Sequence, residues 1–417
     1  MSAETVFTYG APQLKFGPGA SAEVGHDLAA LGAARVLVVT DARVAATGLP
    51  QRVAEQMHPF GIETVLFDGS RVEPTDESMR LAIDFARQSG PFDAYVAVGG
   101  GSSIDTAKAV NLMTTNPGDL MDYVNAPVGG GLAPAHPLKP LVAVPTTAGT
   151  GSESTTVCVL DILALKVKTG ISHPRLRPSI AVIDPDLTVT APPAVTAASG
   201  MDILCHALES YTARAYTSYE AKTPEQRVPY CGANPIADMF SEKAMALLGR
   251  SFRRAVQDGA DLGARHDMAL AATFAGMGFG NAGVHIPHAN GYPIAGRVRA
   301  FRPPDYPAAE PMVPHGMSVA LTAPAAFRFT HPSDPDRHQR AARLLDPSGS
   351  EPLSSVLIDL MRDVAIPNGL AGVGYLASDI DDLVQGALQQ QRLLSTCPRE
   401  VTGEDLAAIF HDSLELW

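Results

Sequence analysis

An α/β domain over residues 1–193 followed by an all-helical domain over residues 194–417 is the fold class the sequence predicts, and two observations carry it. Short apolar runs alternate with helix-spaced segments up to about residue 190, as in a doubly wound sheet. Beyond Ala191-Pro192-Pro193 the apolar residues recur only at helical spacing. In the first part, residues 35–41, 63–68, 94–98, 140–144 and 179–184 read as strands, with helices over 50–60 and 75–88. In the second, residues 241–256, 267–277, 352–364 and 380–394 carry the helical repeat. Residues 200–209 form an apolar run without proline that is expected to be helical as well. Two stretches rich in Pro, Tyr or charge, 212–232 and 296–314, are expected as loops over a cleft.

Composition narrows the partners. The chain has 417 residues, 46% hydrophobic and 18% charged, enough for two or three domains with substantial cores. Its net charge of -13 and lack of a basic stripe argue against nucleic acid or an anionic membrane, because a phosphate surface needs concentrated Lys and Arg. Cys158, Cys205, Cys231 and Cys397 are far apart and form no CxxC, which suggests neither a disulfide framework nor a thiolate metal site. With no basic segment leading into an apolar stretch at the N-terminus, and no run of about 18 apolar residues, the expectation is a soluble cytoplasmic protein.

Two turns in the first half have the chemistry of an anion seat. The strand over 94–98 runs into Gly99-Gly100-Gly101-Ser102 and then a helix, so backbone N–H groups can approach a pyrophosphate beside the positive end of the helix dipole. A glycine turn alone is equally a plain tight turn. A second turn, Pro145-Thr146-Thr147-Ala148-Gly149-Thr150-Gly151-Ser152-Glu153, follows another strand and strengthens the reading, since ligands of open α/β sheets gather at the carboxyl ends of strands. Asp41, ending an earlier strand, suits a ribose hydroxyl and repels a 2′-phosphate, favouring NAD over NADP; its alternative is an ordinary turn former.

The second half supplies metal donors. Asp202 and His206 lie four apart on one helix face, and His288 and His315 each stand beside turn formers. One oxygen and three nitrogen donors suit a divalent transition ion and leave room for a substrate oxygen.

Taken together, Gly99-Gly100-Gly101-Ser102 with Asp105 and Lys108, the turn over 145–153, Asp202 with His206, His288, and Pro314-His315-Gly316 resemble the iron-containing alcohol dehydrogenase family over nearly the whole chain. The resemblance implies a Rossmann-like dinucleotide-binding domain and a helical metal domain, the dehydroquinate synthase-like fold, with a cofactor cleft between them. It implies Asp202, His206, His288 and His315 as ligands to Fe2+, with Zn2+ as the alternative ion. It implies NAD contacts from Asp41, Gly99, Gly100, Gly101, Ser102, Asp105, Thr146, Thr147, Thr150 and Lys168, and a homodimer or higher homo-oligomer.

Residues 122–127, 205–212, 232–236 and 278–285 resemble the transhydrogenase branch of that family in particular. Its members pass a hydride from a hydroxy acid such as 4-hydroxybutyrate to a keto acid such as 2-oxoglutarate through bound NAD. Tyr292 stands where alcohol-oxidising relatives carry a second His, and the transhydrogenase pattern also has Tyr there. The expected chemistry is hydride transfer between an alcohol or hydroxy acid and NAD, with His285 or Tyr292 as proton relay. Phe279 is a candidate pocket wall, and one of Arg297, Arg299 or Arg302 a candidate clamp for a substrate carboxylate. An ordinary NADH-releasing dehydrogenase and a non-catalytic metal- or nucleotide-binding protein are the alternatives.

Overall fold

A computed structural model describes residues 2–165, 167–306 and 311–417. Its contacts divide the chain into two compact units, one of residues 11–147 and 151–190, the other of the N-terminal segment to Gly10, residues 148–150 and residues 191–417.

The first unit holds the strands β1 (Gln13–Phe16), β2 (Arg35–Asp41), β3 (Glu63–Ser70), β4 (Ala94–Gly99), β5 (Leu141–Pro145), β6 (Val157–Ile162), β7 (Val167–Ser172) and β8 (Ile180–Ile183). Six form a parallel sheet in the order β1-β8-β5-β4-β2-β3. The uninterrupted apolar strands follow from burial on both faces. Along β2, Val36 and Val38 enter one core while Leu37 and Val39 enter the other, and Val142 and Val144 of β5 divide from Leu141 and Ala143 in the same way. The five strands expected from the sequence are all present. The structure adds the half-exposed edge strand β1 and an antiparallel hairpin of β6 and β7, whose connection carries no two-residue turn signal.

Helix Asp76–Ser89 starts where the sequence places it because Thr75 and Ser78 form a reciprocal capping box. The expected helix over 50–60 is shorter, Leu49–Glu55 with a 3-10 turn over His58–Phe60.

The second unit is helical, built on Pro193–Thr212, Pro235–Gln257 and Leu262–Ala282 with shorter helices around them. Two close approaches set its packing. A Cβ on Gly200 would lie 2.0 Å from the Phe252 ring, and one on Gly316 would lie 2.1 Å from the Ala198 carbonyl oxygen. The N-terminal segment joins this unit through Asn281, whose side chain both donates to and accepts from the Gly10 backbone. Of the two expected loops, 212–232 holds only 3-10 turns, and the other runs from Arg297 to Pro314 with 307–310 outside the described residues. Among the described residues no helix is long and apolar enough to cross a membrane.

Candidate metal centre and nucleotide turns

Helix Pro193–Thr212 puts Asp202 and His206 one turn apart on a buried face. Asp202 Oδ1 is the hub, 3.5 Å from His288 Nε2, 3.7 Å from His206 Nε2 and 3.8 Å from His315 Nε2. Donors held on one ion by bonds of about 2.1 Å stand about 3.4 Å apart in a tetrahedron, so this spacing matches a shared cation. Donor atoms of Asp202, His206 and His288 all lie within 4.8 Å of one another. His315 completes the set from the rim, its side chain 22% exposed against 4% or less for the other three. Gly316 makes that placement possible, since any side chain there would collide with Ala198 and with the Asp202 Cβ at 2.6 Å.

The residues fit an ion. Asp202 Oδ1 and His288 Nε2 are buried without a hydrogen-bond partner, and a buried polar atom left orphaned calls for an ion or water. Burial would raise the Asp202 carboxyl, but the imidazoles of His206, His315 and His288 around it outweigh that and hold the group well below the usual range. Burial pushes His206 down to about 3 despite Asp202, so its ring is a neutral donor. Burial also opposes protonation of His288, yet Glu209 and Asp202 push it up to about 9. Two buried carboxylates thus demand positive charge at this spot, which a divalent cation supplies.

Glu209 is the functional residue that the sequence reading missed. One turn beyond His206, it is fully buried and accepts from the backbone N–H of His285 at 2.8 Å, the backbone N–H of His288 at 3.2 Å, and His288 Nδ1. It therefore caps helix Ile286–Gly296 from another element and orients the His288 ring so that Nε2 faces Asp202. Its only sequence signal is the i, i+7 spacing from Asp202 on one helix face.

Several expected roles change. Phe279 is 6% exposed and lies flat on His206, ring centroids 3.8 Å apart, so it braces that ring. His285 is completely buried against Phe327, with Nε2 on the Thr212 hydroxyl; burial pushes it down to about 4, and it exposes no atom through which to relay a proton to solvent. Tyr292 lies with its ring 6.1 Å from that of the rim ligand His315. Arg299 grips Asp379 with two bonds of 3.0 and 2.6 Å, which occupies the fork a carboxylate clamp would need. Arg297 stands 3.6 Å from Asp382, and Arg302 donates to the Ala300 carbonyl.

In the α/β unit, Asp41, Gly99 and Thr146 meet at the carboxyl edge of the sheet. A Cβ on Gly99 would lie 2.5 Å from Ser103 Oγ and 3.8 Å from Asp41 Oδ2, and one on Gly100 would lie 3.3 Å from Thr147 Oγ1. Gly101 and Ser102 open helix Gly101–Thr115, which has no side-chain cap, and Ser103 Oγ is buried without a partner. A bare helix start lined by glycine fits a nucleotide diphosphate. Asp41 Oδ1 accepts from the Arg43 and Val44 N–H groups, which orients its carboxylate.

Asp105 is buried. Its oxygens accept from Ser152 Oγ and the Val159 N–H, tying the two turns together. Lys168 is 4% exposed and pairs with Glu73 at 2.7 Å and Asp161 at 2.9 Å, leaving one of its three donors outside these pairs. Thr150 falls with the helical unit, where Gly149 packs on Ser199.

Burial pushes the Glu153 carboxyl up to about 7, against its own backbone N–H and Lys108. Between its ordinary value of 4.5 and 7, the folded chain holds a proton there that the unfolded chain has lost. Stability is therefore expected to fall as pH rises through this window and to level off above it, by about 3 kcal/mol from this group. Glu153→Gln should remove that slope in thermal midpoints compared from pH 5 to 8; parallel curves for the variant and the parent would refute the assignment.

Residues 11–185 match the model of iron-containing alcohol dehydrogenases, and residues 196–414 that of the C-terminal region of the Fe-containing alcohol dehydrogenase family. A hydroxyacid-oxoacid transhydrogenase, mitochondrial, of Bos taurus is 45% identical over 97% of this chain and 89% of its own length. Its Homo sapiens counterpart is 44% identical over 99% and 90%. Among solved structures, a 1,3-propanediol oxidoreductase superposes with a TM-score of 0.84 at 32% identity, covering 98% of this chain and 100% of its own. Sulfoacetaldehyde reductase from Bifidobacterium kashiwanohense in complex with NAD+ gives 0.82 at 26%, covering 98% and 99%. The mitochondrial naming of the transhydrogenases overturns the expectation of a cytoplasmic protein, which rested only on composition and the N-terminal residues.

Proposed function

Because the chain belongs to the iron-containing alcohol dehydrogenase family, we propose that it works as a transhydrogenase, taking a hydride from a hydroxy acid and delivering it to a 2-oxo acid without releasing NADH. It is an iron- and NAD-dependent oxidoreductase acting on small alcohols or hydroxy acids. The observation that carries the narrower reading is end-to-end identity of 42–45% with hydroxyacid-oxoacid transhydrogenases, against 22–32% with the solved dehydrogenases and reductases.

Asp202, His206, His288 and His315 would hold the ion, which when bound supplies Lewis-acid polarisation of a carbinol or carbonyl oxygen. With the ion bound, Glu209 would hold a proton on His288 Nδ1 and leave Nε2 to the ion. Phe279 holds the His206 ring in plane. Gly99, Gly100, Gly101 and Ser102 would seat the cofactor diphosphate, with Thr146, Thr147 and Thr150 on the second turn, Asp41 on a ribose, and the remaining Lys168 donor on a cofactor oxygen. Tyr292, whose ring lies 6.1 Å from that of the partly exposed His315, is proposed to pass the hydroxyl proton outward. The protein is proposed to act as a homo-oligomer.

The test is hydride exchange without added cofactor. Purified protein supplied with 4-hydroxybutyrate and 2-oxoglutarate, and no free NAD, should form the reduced and oxidised products in equal amounts. Strict dependence on added NAD, with NADH accumulating, would make it an ordinary dehydrogenase. Absence of turnover in metal-loaded protein under either condition would leave a binding protein.

A further inference from the structure

Three stretches of chain meet at the last turn of helix Leu262–Ala282, and Asn281 joins them. Its side chain, 3% exposed, accepts from the Gly10 N–H at 2.9 Å and donates to the Gly10 carbonyl at 3.1 Å and the Met277 carbonyl at 2.9 Å. Its own carbonyl accepts from the Cys231 N–H at 2.9 Å and from Cys231 Sγ at 3.1 Å, and the next carbonyl, that of Ala282, accepts from the Gly232 N–H at 3.0 Å. The last carbonyls of a helix have no partner within it, and its end frays unless another element bonds them. Residues 231–232 do so here, and the N-terminal segment is bonded to the same asparagine.

On both sides of this joint the chain belongs to the metal centre. Just before it, Phe279 lies flat on the His206 ring with centroids 3.8 Å apart. Just after it, Gly283 ends the helix at φ 99°, where a Cβ would lie 3.0 Å from Thr396 and 3.3 Å from Tyr230. The Val284 carbonyl then accepts from the Thr396 hydroxyl, and Glu209 takes the N–H groups of His285 and His288. A shift at residue 281 therefore reaches the ring that braces one ligand and the backbone that presents another.

The segment that arrives at Gly10 is fixed at its start as well. Glu4 is 6% exposed, and its carboxylate accepts from the Lys222 N–H and the Arg227 guanidinium, each at 2.9 Å. Its N–H donates to the Tyr219 carbonyl at 2.8 Å, and the rings of Phe7 and Tyr216 pack with centroids 4.9 Å apart. Segment and loop are thus bonded to each other, and both reach the helix end at Asn281.

We propose that Asn281 is a positioning residue for the metal centre: by joining the N-terminal segment and residues 231–232 to the helix end, it holds Phe279 against His206 and sets the start of the turn that leads to His288. The inference rests on the ligand set proposed above, and it gives residues 2–10 a part in holding the ion.

Asn281→Ala is the test. Alanine favours helix and leaves the helix's own backbone bonds in place, so the variant should fold. Iron affinity, measured by competition with a chelator, should weaken about tenfold, the scale on which groups behind the ligands act. With Co2+ in place of iron, the visible ligand-field bands should shift as the His206 and His288 rings move. NAD affinity by fluorescence titration should stay within about twofold of the parent, because Gly99 to Ser102 lie in the other unit and distant sites act independently. A lower melting temperature with the parent's iron affinity and cobalt bands would make Asn281 structural only and overturn the proposal, as would an equal loss of NAD affinity. Should the variant not accumulate, Glu4→Ala, which frees the segment at its first anchor, carries the same test with the same expected signs. Asp202→Asn, run beside it, separates two failures: iron lost there but not in Asn281→Ala sinks this inference alone, and iron retained in Asp202→Asn sinks the ligand set on which it rests.

Discussion

Asp202→Asn should purify without its iron and lose hydride transfer by a factor on the order of 1,000 or more, while nicotinamide still binds. Asparagine keeps the volume of the side chain, so packing around helix Pro193–Thr212 is preserved. It removes the charge from the one atom that faces all three imidazoles, at 3.5, 3.7 and 3.8 Å. Three imidazoles remain, with one buried carboxylate, Glu209, behind them. The loss follows from forfeiting several kcal/mol of Lewis-acid stabilisation, each 1.4 kcal/mol being tenfold in rate. Metal content by atomic absorption, kcat, and NAD affinity by fluorescence titration make the check. A variant that keeps stoichiometric iron and a tenth of the parent rate would remove Asp202 from the ligand set.

Glu209→Gln should weaken iron binding between 10- and 100-fold without touching a ligand, the usual cost of losing the group that orients a metal-bound histidine. Three donors converge on this carboxylate, from His285 N, His288 N and His288 Nδ1. A glutamine amide offers one acceptor oxygen and turns an NH2 toward at least one of them. Each buried N–H left unpaired costs about 1–3 kcal/mol, so the variant should also melt earlier. Competition with a chelator measures the affinity, and melting of the chelator-treated protein separates the stability loss from the metal loss. Lower stability with unchanged iron affinity would make Glu209 a helix cap only.

Much of the α/β unit was legible because a buried parallel strand writes itself as an apolar run. Residues 35–41 and 94–98 show this, and the glycine turn begins where the second of them ends. The edge strand β1, with half its residues exposed, has no such signature. Asp202 and His206 were legible through their helical spacing. His315 was legible beside Pro314 and Gly316, and the close approach of Gly316 to Ala198 gives the reason for that glycine. Phe279 and Arg299 were visible as residue types, but the partners that decide their roles, His206 and Asp379, lie 73 and 80 positions away.

Local sequence by itself determined the alternation of strands and helices, the glycine-lined helix start at Gly101, and which side chains have the chemistry to hold a cation, because periodicity and donor type are properties of neighbouring residues. Tertiary structure alone decided that an acid and three imidazoles converge, that Glu209 orients one of them across 79 positions, that Asp105 faces inward, and that the N-terminal segment packs on the helical unit. Those outcomes depend on burial and on partners far along the chain. A carboxylate is a cap, a ligand or a strut according to which donors the fold brings to it.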